Sequence, residues 1–182
     1  MHAMTETVTA SVVMFAALWL AVAGVLVAMG VTDVRERRIP NKLVVAVCAI
    51  WALMQAISGS LGAAAGVSLA EAARLCGVSG PLLTLFALPD ALTGALTAAA
   101  AVACLALAGA LYERIFRKQA MGAGDVKLIG AFALFLGPAP TLLCVMLACV
   151  FALVAALPAR MRAFPFASAL IVAFVCAIFI EL

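Results

Sequence analysis

Residues 10–41 read ASVVMFAALWLAVAGVLVAMGVTDVRERRIPN. No charge interrupts the run from Ala10 to Val31; Asp33, Arg35, Glu36, Arg37 and Arg38 then follow at once, ahead of Ile39, Pro40 and Asn41. As a helix, the apolar run is about 33 Å long, enough for a hydrocarbon core of ~30 Å. It is not expected to be a removable signal. The leader MHAMTETVTA holds no Lys or Arg, and the run is too long for the apolar centre of a signal peptide. A retained first membrane span followed by a charged link is the reading that decides the fold class.

The rest of the chain repeats this pattern. Of 182 residues, 69% are hydrophobic and 10% charged, and the mean hydropathy is +1.31. A soluble domain is nearer half apolar. Apolar segments are expected at about 10–31, 42–61, 91–111, 125–136, 140–157 and 165–181. The basic residues sort between them. Arg35, Arg37, Arg38 and Lys42 fall in one link, Arg114, Arg117, Lys118 and Lys127 in a second, and Arg160 and Arg162 in a third. Only Arg74 of the eleven lies elsewhere. By the positive-inside rule those alternate links are cytoplasmic and both termini extracytoplasmic. The expectation is an all-α polytopic membrane protein of about six transmembrane helices, one domain over residues 1–182, with the lipid bilayer as its medium and no nucleic-acid partner.

The fourth segment is weak. From Val126 to the break at Gly137-Pro-Ala-Pro140, eleven residues make a helix of roughly 17 Å. Treating 125–157 as one broken span would leave five spans and put Arg160 and Arg162 outside, so six is preferred. A short fourth helix implies that the loop before it dips into the membrane, lined by protein or water. In the 62–90 extracytoplasmic link, Ser68-Leu-Ala-Glu71 has the form of a capping box and Gly77 that of a helix stop. A short surface helix and a weakly ordered connector are both open there.

Histidine and metal chemistry find little support. The lone His2 sits at the N-terminus, and the six cysteines are scattered without a C-x-x-C pair. Cys144 and Cys149 point about 140° apart around a helix, so packing as small hydrophobes is the expected role. No metal or cofactor is expected.

The acidic residues are more informative. Glu6, Glu71, Asp90 and Glu181 fall on the outer side, and Glu36 and Glu113 sit among basic neighbours. That leaves Asp33, closing the first span, and Asp125, opening the fourth within QAMGAGDVKLIG (119–130). Both belong at the same boundary, and carboxylates near a bilayer are costly and usually functional. Two readings are open. The pair could cap helices or meet Arg35, Arg37, Arg38 or Lys127. Alternatively the two converge, and like charge keeps one carboxyl protonated, giving a general acid and a general base for amide hydrolysis. Gly122 and Gly124 would then shape the loop, adopting unusual dihedrals and admitting an extended peptide.

Asp33-x-Arg35-x-x-Arg38-Ile39-Pro40-Asn41, followed by Met121-Gly-x-Gly-Asp125-Val-Lys127-Leu, resembles the type IV prepilin peptidases, membrane aspartyl proteases of the GxGD class. Gly130, the FLG at 135–137 and the FPFASAL around Pro165 extend the likeness, with Ser168 where the family pattern usually has a second proline. The resemblance implies catalytic roles for Asp33 and Asp125 and cleavage of the short basic leader of prepilin-like or pseudopilin substrates just before their hydrophobic helix. It implies helix-starting roles for Pro40 and Asn41. Lys127 would either favour the charge on Asp125 or anchor the helix at the headgroups.

Larger members carry an N-terminal cytoplasmic region with paired C-x-x-C motifs and methylate the new N-terminus. Asp33 here follows a single span, so the chain looks like the small, peptidase-only form of tight-adherence (Flp-type) pilus systems, independent of S-adenosylmethionine. A proton-coupled transporter using the two aspartates, a noncatalytic assembly partner, and an intramembrane protease acting on other helices are the competing readings. None but the last accounts for the glycines.

Overall fold

The computed structural model describes residues 2–36, 39–117, 122–159 and 166–180, and among them every regular element is helical. Helix α1 spans His2–Glu36 and α2 Asn41–Ala65; the short α3 (Leu69–Leu75) and a 3₁₀ turn at Gly80–Phe86 follow. Then come α4 (Ala91–Phe116), α5 (Ala123–Leu136), α6 (Pro138–Ala159) and α7 (Phe166–Phe179).

Four helices are long and apolar enough to cross a membrane: Thr5–Glu36, Asn41–Ala65, Ala91–Phe116 and Pro138–Ala155. The other two expected segments form α5 and α7, of 14 residues each. Such helices are about 21 Å long, short of a ~30 Å core.

Helices outrun the apolar segments that announce them. α1 begins well before Ala10 because nothing in its first turns breaks a helix, and two hydroxyls bond back to the chain: Thr9 Oγ1 donates to the Thr5 carbonyl (2.8 Å) and Ser11 Oγ to that of Thr7 (2.9 Å). α2 starts directly after Pro40, which lies at its N-cap with φ −64° and ψ 126°. A proline cannot supply a main-chain N–H, so this position loses nothing by it. The capping box of α3 forms in both directions, Ser68 Oγ accepting from Glu71 N–H while Glu71 accepts from the Ser68 N–H. Leu69, Ala72 and Ala73 of α3 are buried, so this part of the 62–90 link is an ordered cap on the bundle and not a loose connector. At the α5–α6 break, Gly137 holds φ +73° and ψ −175°, a conformation only glycine adopts readily.

α5 is the hub of the bundle. Leu128 through Ala133 and Phe135 are all buried, enclosed by α2, α4, α6 and α7. Phe132 stacks on Phe174 of α7 with ring centroids 4.1 Å apart, and Phe174 meets Phe135 edge-on at 6.1 Å. Between α4 and α5 the backbones approach very closely. A Cβ on Gly94 would lie 2.7 Å from the Leu134 carbonyl oxygen, and one on Gly130 would lie 2.5 Å from Val102 Cγ2. Close approach at small residues is how helices associate in lipid, where apolar burial offers little drive. Large apolar side chains such as Leu20, Leu53, Leu107 and Met146 point outward. In water that surface would be a liability; against acyl chains it is matched.

Candidate active site

The C-terminal end of α1 and the N-terminal ends of α2, α5 and α7 gather at one end of the bundle, joined by three contacts. Ile39 lies against Gly124, where a Cβ would be 3.5 Å from both Ile39 Cβ and Cδ1. Lys127 Nζ donates to Asn41 Oδ1 at 3.2 Å. Ser168 reaches Asp33: its main-chain N–H and its hydroxyl both donate to Oδ2, each at 3.1 Å. Residues more than eighty positions apart are thus brought together.

Asp33 is buried, with 6% of its surface exposed, and Asp125 is half-buried. Their helix ends lie at the same end of the bundle, although one residue closes α1 and the other opens α5. Each also sits at the positive end of a helix. Asp125 is three residues past Gly122, the N-cap of α5, and its carboxylate turns back to the Gly122 main chain. Asp33 meets α7 at its third residue, where main-chain N–H groups have no partner within the helix. A helix N-terminus favours negative charge by roughly 0.3–1 kcal/mol, more in partly buried geometry, which offsets part of the cost of holding carboxylates here. Each aspartate therefore lies at the N-terminal end of a helix, Asp33 at that of α7 and Asp125 at that of α5.

The glycines act differently from the expectation. Gly122 has φ −68° and ψ 138°, ordinary extended backbone, and Gly124 is helical with no positive φ. Asp125 sits in the first turn of α5, not in a loop. What Gly122 supplies is space: a Cβ there would come within 3.2 Å of Asp125 Oδ2, whereas one on Gly124 would meet Ile39 at 3.5 Å, an ordinary contact. Lys127 is exposed and pairs with Asn41, tying α5 to the start of α2. Ile39, Pro40 and Asn41 are thereby accounted for as the joint between the two motifs; Arg38 and Met121 lie outside the described residues.

Ser168 was legible only as a departure from a pattern. Nothing in FPFASAL signals contact with a residue 135 positions earlier. Among the described residues no three His, Cys, Asp or Glu side chains come together as metal ligands.

A model of the type IV leader peptidase family matches residues 20–157, which include both aspartates. The chain belongs to the type IV leader peptidase family. Membership implies a peptidase, and with four helices able to cross a bilayer it marks a membrane protein. Ser168 lies beyond the matched segment of this leader peptidase. Comparison with curated proteins and with solved structures gave no match.

Proposed function

We propose that this leader peptidase is an aspartic endopeptidase that removes the short basic leader of prepilin-like or pseudopilin substrates through Asp33 and Asp125. The observation that carries the reading is that the helix ends bearing the two aspartates, from separate motifs, meet at one end of the bundle, tied there by Ser168 on Asp33 and by Ile39 on Gly124. Like charges so placed share a proton most readily, leaving one carboxylate and one carboxylic acid. The carboxylate takes a proton from water as its oxygen attacks the scissile carbonyl carbon. The acid protonates the carbonyl oxygen, giving a neutral tetrahedral diol. As the C–N bond breaks, the departing nitrogen receives a proton and the carbonyl re-forms, releasing the leader with a new carboxylate and the mature chain with a new amine. No metal is required in this scheme, and the dyad shares the acid and base work as a coupled unit.

In the sequence, ten of the eleven basic residues fall in or beside the links that join α1 to α2, α4 to α5 and α6 to α7, which by the positive-inside rule supports a cytoplasmic active site in the bacterial inner membrane with both termini outside. A leader that stays in the cytoplasm while its hydrophobic helix sits in the bilayer would reach that end. Residues 1–182 act as one peptidase domain. Methylation of the product is not among its activities in this reading, and tight-adherence pilins are the first substrates to try.

The test is cleavage by purified protein in detergent of a prepilin bearing its leader, followed by mobility shift and sequencing of the new N-terminus. Asp33→Asn and Asp125→Asn should each abolish cleavage while unfolding at the wild-type temperature. Normal cleavage by both variants would refute the mechanism.

A further inference from the structure

Ser168 is the third residue of α7, so its N–H has no acceptor inside its own helix. That N–H and the Ser168 hydroxyl converge on a single atom, Oδ2 of Asp33, at 3.1 Å each. The position of the donors is set by packing. Ala167, Ala169 and Leu170 beside them are buried, and Phe174 one turn further on stacks on Phe132 of α5, the helix that bears Asp125. One rigid helix therefore grips the first aspartate while seated on the element that carries the second. Two donors on one carboxylate oxygen occupy the lone pairs lying in the carboxylate plane. The other oxygen, Oδ1, keeps its lone pairs for water or for a shared proton.

We infer that Ser168 positions Asp33 for the reaction, its main-chain N–H and hydroxyl together holding Oδ2 so that Oδ1 is the oxygen that exchanges the proton. This rests on the aspartic-peptidase reading. Ser168 lies outside the segment that the family model matches. Ser168 is a positioning residue: it acts through Asp33.

The inference is tested in the leader-cleavage assay with three variants beside wild type and Asp33→Asn, recording kcat, KM and unfolding temperature. Ser168→Thr keeps both donors and should cleave within about 2-fold of wild type. Ser168→Ala loses the hydroxyl alone and should lower kcat about 3- to 10-fold, the worth of one hydrogen bond, with KM unchanged. Ser168→Pro loses both donors at a first-turn position where proline is tolerated and should lower kcat by roughly the square of that factor. Full kcat in the alanine and proline variants, beside an inactive Asp33→Asn, would overturn the inference and leave the peptidase reading standing. So would a loss in KM alone, or a loss that threonine fails to rescue. A wild type that cleaves nothing, or an active Asp33→Asn, would sink the reading and the inference with it.

Discussion

Gly122→Ala separates chemistry from folding at this site. The backbone at Gly122, φ −68° and ψ 138°, suits alanine without strain. The residue is exposed, so the added methyl displaces no core atom. Its nearest neighbour would be Asp125 Oδ2 at 3.2 Å, then Asp125 Cγ at 3.9 Å, whereas ordinary contact begins near 3.4 Å. The carboxylate must therefore give way by a few tenths of an ångström. If a 1 Å misplacement costs ~10²-fold in rate, a shift of this size costs roughly 3- to 6-fold. Stability should move the other way or not at all, because alanine restricts the unfolded chain and typically adds about 0.4–1 kcal/mol at a compatible site. The assay is kcat for leader cleavage alongside thermal unfolding in the same detergent. A variant with wild-type kcat would show that the Asp125 carboxylate is not held at the reacting position. A drop in kcat matched by a drop in unfolding temperature would mean that the glycine serves the fold.

Gly94→Ala should do the opposite: its Cβ would meet the Leu134 carbonyl oxygen at 2.7 Å and Trp51 at 3.3 Å, so α4 and α5 must separate, costing about 1–3 kcal/mol. Thermal unfolding should fall while kcat per folded molecule holds; an unchanged unfolding temperature would refute the close approach. Acid should weaken the end of the bundle opposite the two aspartates. Hydrogen bonds from the Ser68 main chain and hydroxyl hold Glu71 below the usual carboxylate range, and those from the Thr93 hydroxyl and main chain do the same for Asp90. A carboxyl depressed on folding stabilises above its unfolded value, ~4.3 for Glu and ~3.9 for Asp, and that contribution is lost as pH falls through the folded value. Unfolding temperature should therefore decline from about pH 5 toward pH 3. The combined Glu71→Gln, Asp90→Asn variant should show a flatter decline, and an identical slope would remove these two groups as its source.

The six apolar segments, the capping box at Ser68 and the two boundary aspartates were all legible in the sequence. Membrane transfer is nearly additive over a local window, and a helix cap needs residues only three positions apart. Helix ends were less legible. α1 reaches Glu36, α2 Ala65 and α4 Phe116, each past its apolar run, because a helix continues until something breaks it whatever the hydropathy. The glycines of the Gly122-Ala-Gly-Asp125 motif invited a conformational explanation, yet both have ordinary backbone. Gly122 makes room for the Asp125 carboxylate, and that shows only when Asp125 is in place beside it.

The sequence by itself thus determined what kind of chain this is and which two carboxylates stand at a span boundary apart from the rest, since both follow from the cost of charge beside an apolar run. Only the tertiary structure decided how those carboxylates are held. Ile39 on Gly124, Lys127 on Asn41 and Ser168 on Asp33 each depend on where α7, α5 and α2 come to rest against α1. That placement is set by close contacts such as Gly94 on Leu134 and Phe132 on Phe174. Such contacts are a few ångströms in range and join residues far apart in the chain, so no local pattern announces them.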